Sequence, residues 1–188
     1  MKKLENYLNK LLNFTDSEIQ ILLSLFTEKK LKKNEYFAVE GGYSSKIAFI
    51  KSGVMRAFYR NNEGDEYNKT FFTNSSFIGA YSSLITGQEN LINIQCLTDC
   101  VILKANYEGI TNLYDSTPKF ERLSRILAER FFIMKEKREI ELVMLDASER
   151  YEIFKKEHPN LENLIPQYHI ASYLGITPTQ LSRIRAKK

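Results

Sequence analysis

From Tyr168 to Arg185 the chain reads Tyr-His-Ile-Ala-Ser-Tyr-Leu-Gly-Ile-Thr-Pro-Thr-Gln-Leu-Ser-Arg-Ile-Arg, a pattern that admits little except two short helices joined by a tight turn. Ile170, Ala171 and Leu174 recur at helical spacing and stop at Gly175, a residue that accepts the left-handed backbone needed to end a helix sharply. A second helix is expected at once. Thr177 is a good N-cap, and Pro178 suits the first helical position because its missing N–H would be unpaired there anyway. Gln180, three residues after Thr177, completes a capping box. Leu181 and Ile184 share one face and should pack on the first helix, which leaves Thr179, Ser182, Arg183 and Ala186 facing outward.

That outward face is small, polar and cationic, which suits a helix entering a DNA major groove. Small side chains permit close approach, hydroxyls can bond bases or phosphates, and an arginine can make two bonds to a guanine edge. The candidate DNA-binding residues are therefore Thr177, Thr179, Gln180, Ser182, Arg183, Arg185, Lys187 and Lys188. Arg185, Lys187 and Lys188 are placed as phosphate contacts, adding affinity and salt sensitivity but little sequence preference. The bland alternative is a helical pair on another domain, its basic end merely complementing the helix dipole. Agreement among cap, turn, apolar spacing and basic exit favours double-stranded DNA as the partner. His169 stands beside apolar positions, reads as a surface or packing residue, and is given no role.

With 188 residues, of which 43% are hydrophobic, the chain can bury a core of one medium domain plus a small appendage. Its net charge of +4 makes it no polycation, so the charge gathered at the C-terminus matters more than the total. Met1 to Leu8 lacks the apolar run of a signal peptide, and no later stretch has the length to cross a bilayer. A cytoplasmic protein without membrane contact is expected. Two cysteines, Cys96 and Cys100, fall on successive short strands around Thr98 and Asp99 and cannot form a zinc or iron–sulfur set. They read as buried free thiols, and neither a metal nor another cofactor is expected. The alternative, a redox-sensing pair, would be disposed of if mild oxidants left DNA binding unchanged.

Residues from about Leu4 to Phe26 carry helical patterning, with Thr15 and Glu18 forming a capping box before Ile19, Leu22, Leu23 and Phe26. From Glu35 to about Leu103 the texture turns to short β-prone runs: Tyr36 to Val39, Ile47 to Ile50, Val54 to Tyr59, Tyr67 to Phe72, Ile92 to Leu97, and Val101 to Leu103. Gly41-Gly42, Ser52-Gly53 and Asn61 to Gly64 punctuate them, as in a barrel or β-roll. Thr117-Pro118 then opens a long helix with an interrupted apolar stripe of Leu123, Leu127, Phe131, Met134, Leu142 and Leu145. The stripe could pack on the chain's own β-domain. A two-stranded coiled coil across a dimer axis is preferred, because a lone helix-turn-helix covers one half-site only. Asp146 and Glu149 resemble a fresh N-terminal cap, so a hinge is expected near Asp146 to Ser148, with further breaks at His158-Pro159 and Pro166. The class is α+β: residues 1–116 an N-terminal sensor β-roll with its leading helices, 117–145 a dimerisation helix, 146–188 the helix-turn-helix domain.

This order of parts resembles the Crp/Fnr family of bacterial transcription regulators, in which a cyclic-nucleotide-binding-type domain is joined through a dimerisation helix to DNA-binding helices. The marks are Ile-Ala-Phe-Ile-Lys-Ser-Gly-Val-Met-Arg from Ile47 to Arg56, Phe77-Ile-Gly79, and Ile170 through Arg185. The chain looks most like the short subgroup that ends just after the recognition helix, met in Bacteroidetes-type bacteria. Cyclic-nucleotide binders of the family follow Phe-x-Gly with a Glu for the ribose hydroxyl and later supply an Arg and a small hydroxyl residue to the cyclic phosphate. Here Gly79 is kept, while those three positions fall on Ala80, Asn90 and Leu91. A buried phosphate without its cation is costly, so no useful affinity for cyclic AMP or cyclic GMP is expected. The family's recognition helix often carries an Arg and a Glu in its first turn; Pro178 and Thr179 stand there, and the later Arg is kept as Arg183, so the target sequence should differ.

The resemblance implies a homodimer on a roughly palindromic operator, with an unknown small-molecule effector in the roll and contact with RNA polymerase left open. Two other classes compete. β-Rolls of this kind also resemble cupin enzymes, but His158 and His169 both lie in the tail, and no phosphate loop or nucleophile elbow occurs. A degenerate nucleotide-type domain could instead regulate a partner protein by direct contact. Replacing Arg183 separates that module from a DNA reader.

Overall fold

The structure, a computed structural model, describes residues 1–186; Lys187 and Lys188, both expected phosphate contacts, lie outside the described residues. The chain opens with α1 (Lys2–Asn9) and α2 (Asp16–Ser24). The helical patterning is split because Thr15 starts a new helix. Its hydroxyl accepts from the Glu18 N–H at 3.3 Å, and the Glu18 carboxylate accepts from the Thr15 N–H at 2.7 Å. There follow β1 (Thr27–Leu31), β2 (Tyr36–Ala38), β3 (Lys46–Ser52), β4 (Met55–Arg60), β5 (Glu66–Phe72), β6 (Phe77–Ile78), α3 (Tyr81–Thr86), β7 (Asn93–Cys96) and β8 (Cys100–Asn106). After them come α4 (Tyr107–Thr111), α5 (Pro118–Met144), α6 (Ala147–Glu157), a 3-10 turn at Leu161–Asn163, α7 (Gln167–Leu174) and α8 (Pro178–Ala186).

Among the described residues the strands form two four-stranded sheets, ordered β1-β8-β3-β6 and β2-β7-β4-β5. β8 pairs antiparallel with β1, setting Leu31 opposite Cys100, and with β3, setting Ile50 opposite Ile102. The period of two along a strand then divides the core. On β3, Phe49 joins Leu103 and Ala105 of β8 in a cluster with Leu4, Leu8, Leu22 and Phe120 of the helices and Phe26 just after α2. Ala48 and Ile50 face the other way, toward Met55, Ile94, Cys96, Cys100 and Ile102 between the sheets. Both faces of β3 are buried, which is why Ile47 to Ile50 is a continuous apolar run rather than an alternating one.

Four elements went unmarked in the sequence, one being β6, whose two residues are too few to show a strand's alternation. Of β1 only Leu31 is buried, so Thr27 to Lys30 carries no apolar signal at all. α3 and α4 have six and five residues, too short for a helical period to declare itself.

The long helix is one continuous element of 27 residues, and its stripe has two fates. Phe120 and Leu123 are buried in the helical cluster, with Leu127 packed against it, so this half covers its own roll. Farther along, Phe131, Phe132, Ile133, Met134, Ile140, Leu142, Val143 and Met144 are exposed, Val143 at 83%.

By contact density the described chain divides into two compact units: residues 1–57 with 71–129, and residues 58–70 with the chain from Arg130 onward. The second holds the end of the β4–β5 hairpin, the latter half of α5, and α6 to α8. Its core is Tyr151, Phe154, Leu161, Ile165, Ile170, Ala171, Leu174 and Leu181.

Candidate nucleic-acid interface

α7 ends as its sequence requires. Gly175 adopts φ +69°, its N–H donates to the Ser172 carbonyl at 3.2 Å, and the Ile176 N–H donates to the Ala171 carbonyl at 3.0 Å. These two bonds form a Schellman motif and satisfy carbonyls that a helix end would leave unpaired. A Cβ on Gly175 would meet nothing closer than Leu142 Cδ2 at 3.6 Å, so backbone conformation, not crowding, asks for glycine. α8 then starts on a capping box. The Gln180 N–H donates to Thr177 Oγ1 at 3.2 Å, and Gln180 Oε1 accepts from the Thr177 N–H at 3.0 Å.

Leu181 is buried and Ile184 half-buried, while Thr177, Thr179, Gln180, Ser182, Arg183, Arg185 and Ala186 are exposed. The helix turns the face expected from its spacing toward solvent. Within it the residues differ. Thr177 Oγ1 and Gln180 Oε1 serve the helix start, and Arg185 Nη2 lies 3.8 Å from Glu162 Oε1. Glu162 Oε2 also accepts from the Tyr151 hydroxyl at 2.8 Å, so Arg185 leans toward the body of its unit. Both charges keep solvent contact, and a pair at that distance is weak. Thr179, Ser182 and Arg183 carry the outward polar surface.

Two arginines missed in the sequence, where they pass for solvated helix charges, hold this helical pair to its unit. Arg150 Nε donates to the Leu174 carbonyl at 3.0 Å, satisfying the end of α7, and a second donor reaches the Leu145 carbonyl at the end of α5. Arg138 donates to the Tyr173 carbonyl and stacks 4.0 Å over the Tyr173 ring. The Tyr173 and Phe154 rings enclose His158 with centroids 6.0 and 5.3 Å away, and burial holds its imidazole below the usual histidine range.

In the roll, the positions matched to a nucleotide pocket are otherwise occupied. A Cβ at Gly79 would lie 3.3 Å from Leu84 and 3.4 Å from Ile47, so that turn is tight. Ala80, where the resemblance places a ribose-binding carboxylate, is a methyl group in the inter-sheet core. Asn90, where it places a phosphate-binding cation, is 4% exposed and fully engaged. Its Nδ2 donates to the Val39 carbonyl at 3.0 Å, its Oδ1 accepts from the Ser44 hydroxyl at 2.9 Å, and its N–H donates to the Gly42 carbonyl at 2.7 Å. Ser83, also buried, accepts from the Ser44 N–H at 3.1 Å and donates to the Gln88 carbonyl at 2.6 Å. Leu91 stands 72% exposed. These residues do not fit a cyclic phosphate.

Cys96 and Cys100 are free and buried, and the hydrogen bond between them, with burial, pushes the Cys96 thiol well above the usual thiol range. Among the described residues no three His, Cys, Asp or Glu side chains stand close enough to share a metal, and no helix is long and apolar enough to cross a membrane.

Residues 28–117 match the family model of the cyclic nucleotide-binding domain. No curated protein matches the chain. Among solved structures, FixK2 from Bradyrhizobium japonicum superposes with a TM-score of 0.77 at 16% identity, over 86% of this chain and 83% of that one. A Crp/Fnr-family transcriptional regulator from Eubacterium rectale gives 0.75 at 15%, over 97% and 87%. A CooA variant from Carboxydothermus hydrogenoformans gives 0.71 at 19%, over 96% and 83%. At these identities the likeness is one of fold, and it runs through both compact units. The resemblance read from the sequence is borne out at the level of fold: residues 28–117 match the cyclic nucleotide-binding domain model, and the chain has the α+β fold of the solved Crp/Fnr-type regulators.

Proposed function

We propose that the chain is a DNA-binding transcription regulator of the Crp/Fnr type, a homodimer that sets α8 of each copy into successive major grooves of a roughly palindromic operator. The observation that carries this reading is α8 itself. It is a well-capped helix whose inner face is anchored by Leu181 and whose outer face offers Thr179, Ser182 and Arg183 to solvent. The exposed apolar surface on the latter half of α5 supports the dimer, since side chains such as Phe132, Ile133, Val143 and Met144 favour a second copy of the same stripe over water. In this reading residues 1–116 sense or scaffold, 117–145 dimerise and 146–188 bind DNA.

Cyclic AMP is not the signal. Asn90 already binds the loop that an anion would have to open, and supplies no charge to pair with it. The competing reading, a module that regulates a partner protein, gains no support from a free, polar, arginine-bearing helix face at the end of a helix-turn-helix. Selection of bound duplexes from a random pool by the wild type and by Arg183→Ala tests the choice. The wild type is expected to enrich a two-fold motif. The variant should lose preference at one position per half-site, with a discrimination loss of about 1 to 3 kcal/mol. No enrichment by the wild type, either alone or in a repeat of the selection in cell extract that supplies any effector, would refute DNA reading.

A further inference from the structure

Within the second unit, β5 and α7 are joined by side chains that the sequence separates by about a hundred positions. Ser172 Oγ donates to the Glu66 carbonyl at 2.7 Å and accepts from the Asn68 N–H at 3.0 Å. One hydroxyl thus serves a carbonyl and an N–H two residues apart on β5, as a neighbouring strand would. The Asn68 side chain crosses the other way, its Nδ2 donating to the His169 carbonyl at 2.9 Å and lying 3.4 Å from His169 Nδ1. Asn68 and His169 are 6% and 4% exposed, so these bonds are shielded from water and losing one costs more than it would at the surface. At its C-terminal end α7 is held by Arg138 of α5 through the Tyr173 carbonyl and ring. α7 is therefore braced by the hairpin at mid-length and by α5 at its end. α8, seated on α7 through Leu181, takes its orientation from both.

We propose that Asn68 and Ser172 are positioning residues that set the separation of operator half-sites. This rests on the dimeric DNA-binding reading. Two copies paired along α5 present their α8 helices at a distance fixed by how α7 is held, and the hairpin brace holds it at one angle. Neither residue reaches a base or phosphate. With the brace intact the dimer accepts one half-site spacing; with it cut, α7 pivots on its α5 attachment and the dimer tolerates others.

The test compares wild type, Asn68→Ala, Ser172→Ala and Ser172→Thr on the selected operator and on versions with one or two base pairs added or removed at the centre. Wild type should discriminate sharply against the altered spacings. Asn68→Ala and Ser172→Ala should discriminate about tenfold less while keeping the same base preferences within each half-site, and Ser172→Thr, which retains the hydroxyl, should restore discrimination. Spacing discrimination equal to wild type, with affinity alone reduced, would overturn the proposal. Amide hydrogen exchange on the DNA-free protein judges the brace separately. Ser172→Ala should speed exchange at Asn68 and across residues 167–174 by about tenfold, and unchanged exchange would overturn it. Faster exchange in a protein whose wild type binds no DNA, alone or in cell extract, would refute the DNA reading, and the spacing role with it, while leaving the physical brace established.

Discussion

Gly53 and Gly64 show how differently two glycines of similar backbone conformation are constrained. Both have positive φ, +103° and +90°. A Cβ on Gly53 would stand 2.5 Å from the Asp99 carbonyl and 2.6 Å from Cys100 Sγ, whereas one on Gly64 would meet nothing within 4 Å. Gly64→Ala should therefore cost only the backbone strain, about 1 kcal/mol, and Gly53→Ala about 3 kcal/mol or more, both read by urea unfolding. A second prediction concerns His158. Burial holds its folded-state value below the ordinary 6.5, with Arg138 acting in the same sense and Glu157 against it. Above pH 6.5 the ring is neutral whether the chain is folded or not, so its contribution is complete there; as the pH falls below 6.5 the unfolded chain takes the proton first and that contribution drains away toward the folded value. Unfolding of wild type and His158→Gln between roughly pH 5 and 8 should give curves that run parallel above 6.5 and converge below it. At this scale the sequence was legible where chemistry is local, as in the Thr177–Gln180 box. It was opaque where partners are distant, since nothing near Ser172 announces Asn68.

Among the elements, those with a strong period or a marked boundary were readable. The α7–α8 pair was written in Gly175 and Thr177, and the start of α6 in Asp146, whose carboxylate accepts from the N–H groups of Ser148 and Glu149 at 2.8 and 2.9 Å. β1 was not readable, because a polar strand held by one buried leucine looks like a loop until β8 is placed beside it. The segment from α3 to Asn90 lies between these cases. Sequence resemblance implied that Asn90 stands where the family places a cation, but not that its side chain would form bonds that help tie residues 39–44 to residues 83–90. Since a ligand that binds the folded state raises the melting temperature, millimolar cyclic AMP is expected to leave it unshifted. A dose-dependent rise would contradict the assignment of Asn90 as an internal staple.

For the molecule as a whole, the plain packing reading of α5 holds along its first part, and the proposed dimeric reading concerns the exposed remainder. Phe120, Leu123 and Leu127 pack on the roll, and the exposed stripe beyond Arg130 belongs to the unit that carries α7 and α8. Pairing that stripe between two copies would link dimer geometry directly to the presentation of the recognition helices, which is the central claim. Hydroxyl-radical footprinting on the selected duplex, with the stoichiometry of the complex measured on the same sample, tests it most directly. The account predicts two chains per duplex and two protected patches on one side of it, centred about 34 to 36 Å apart. A single patch, or one chain per site, would contradict it.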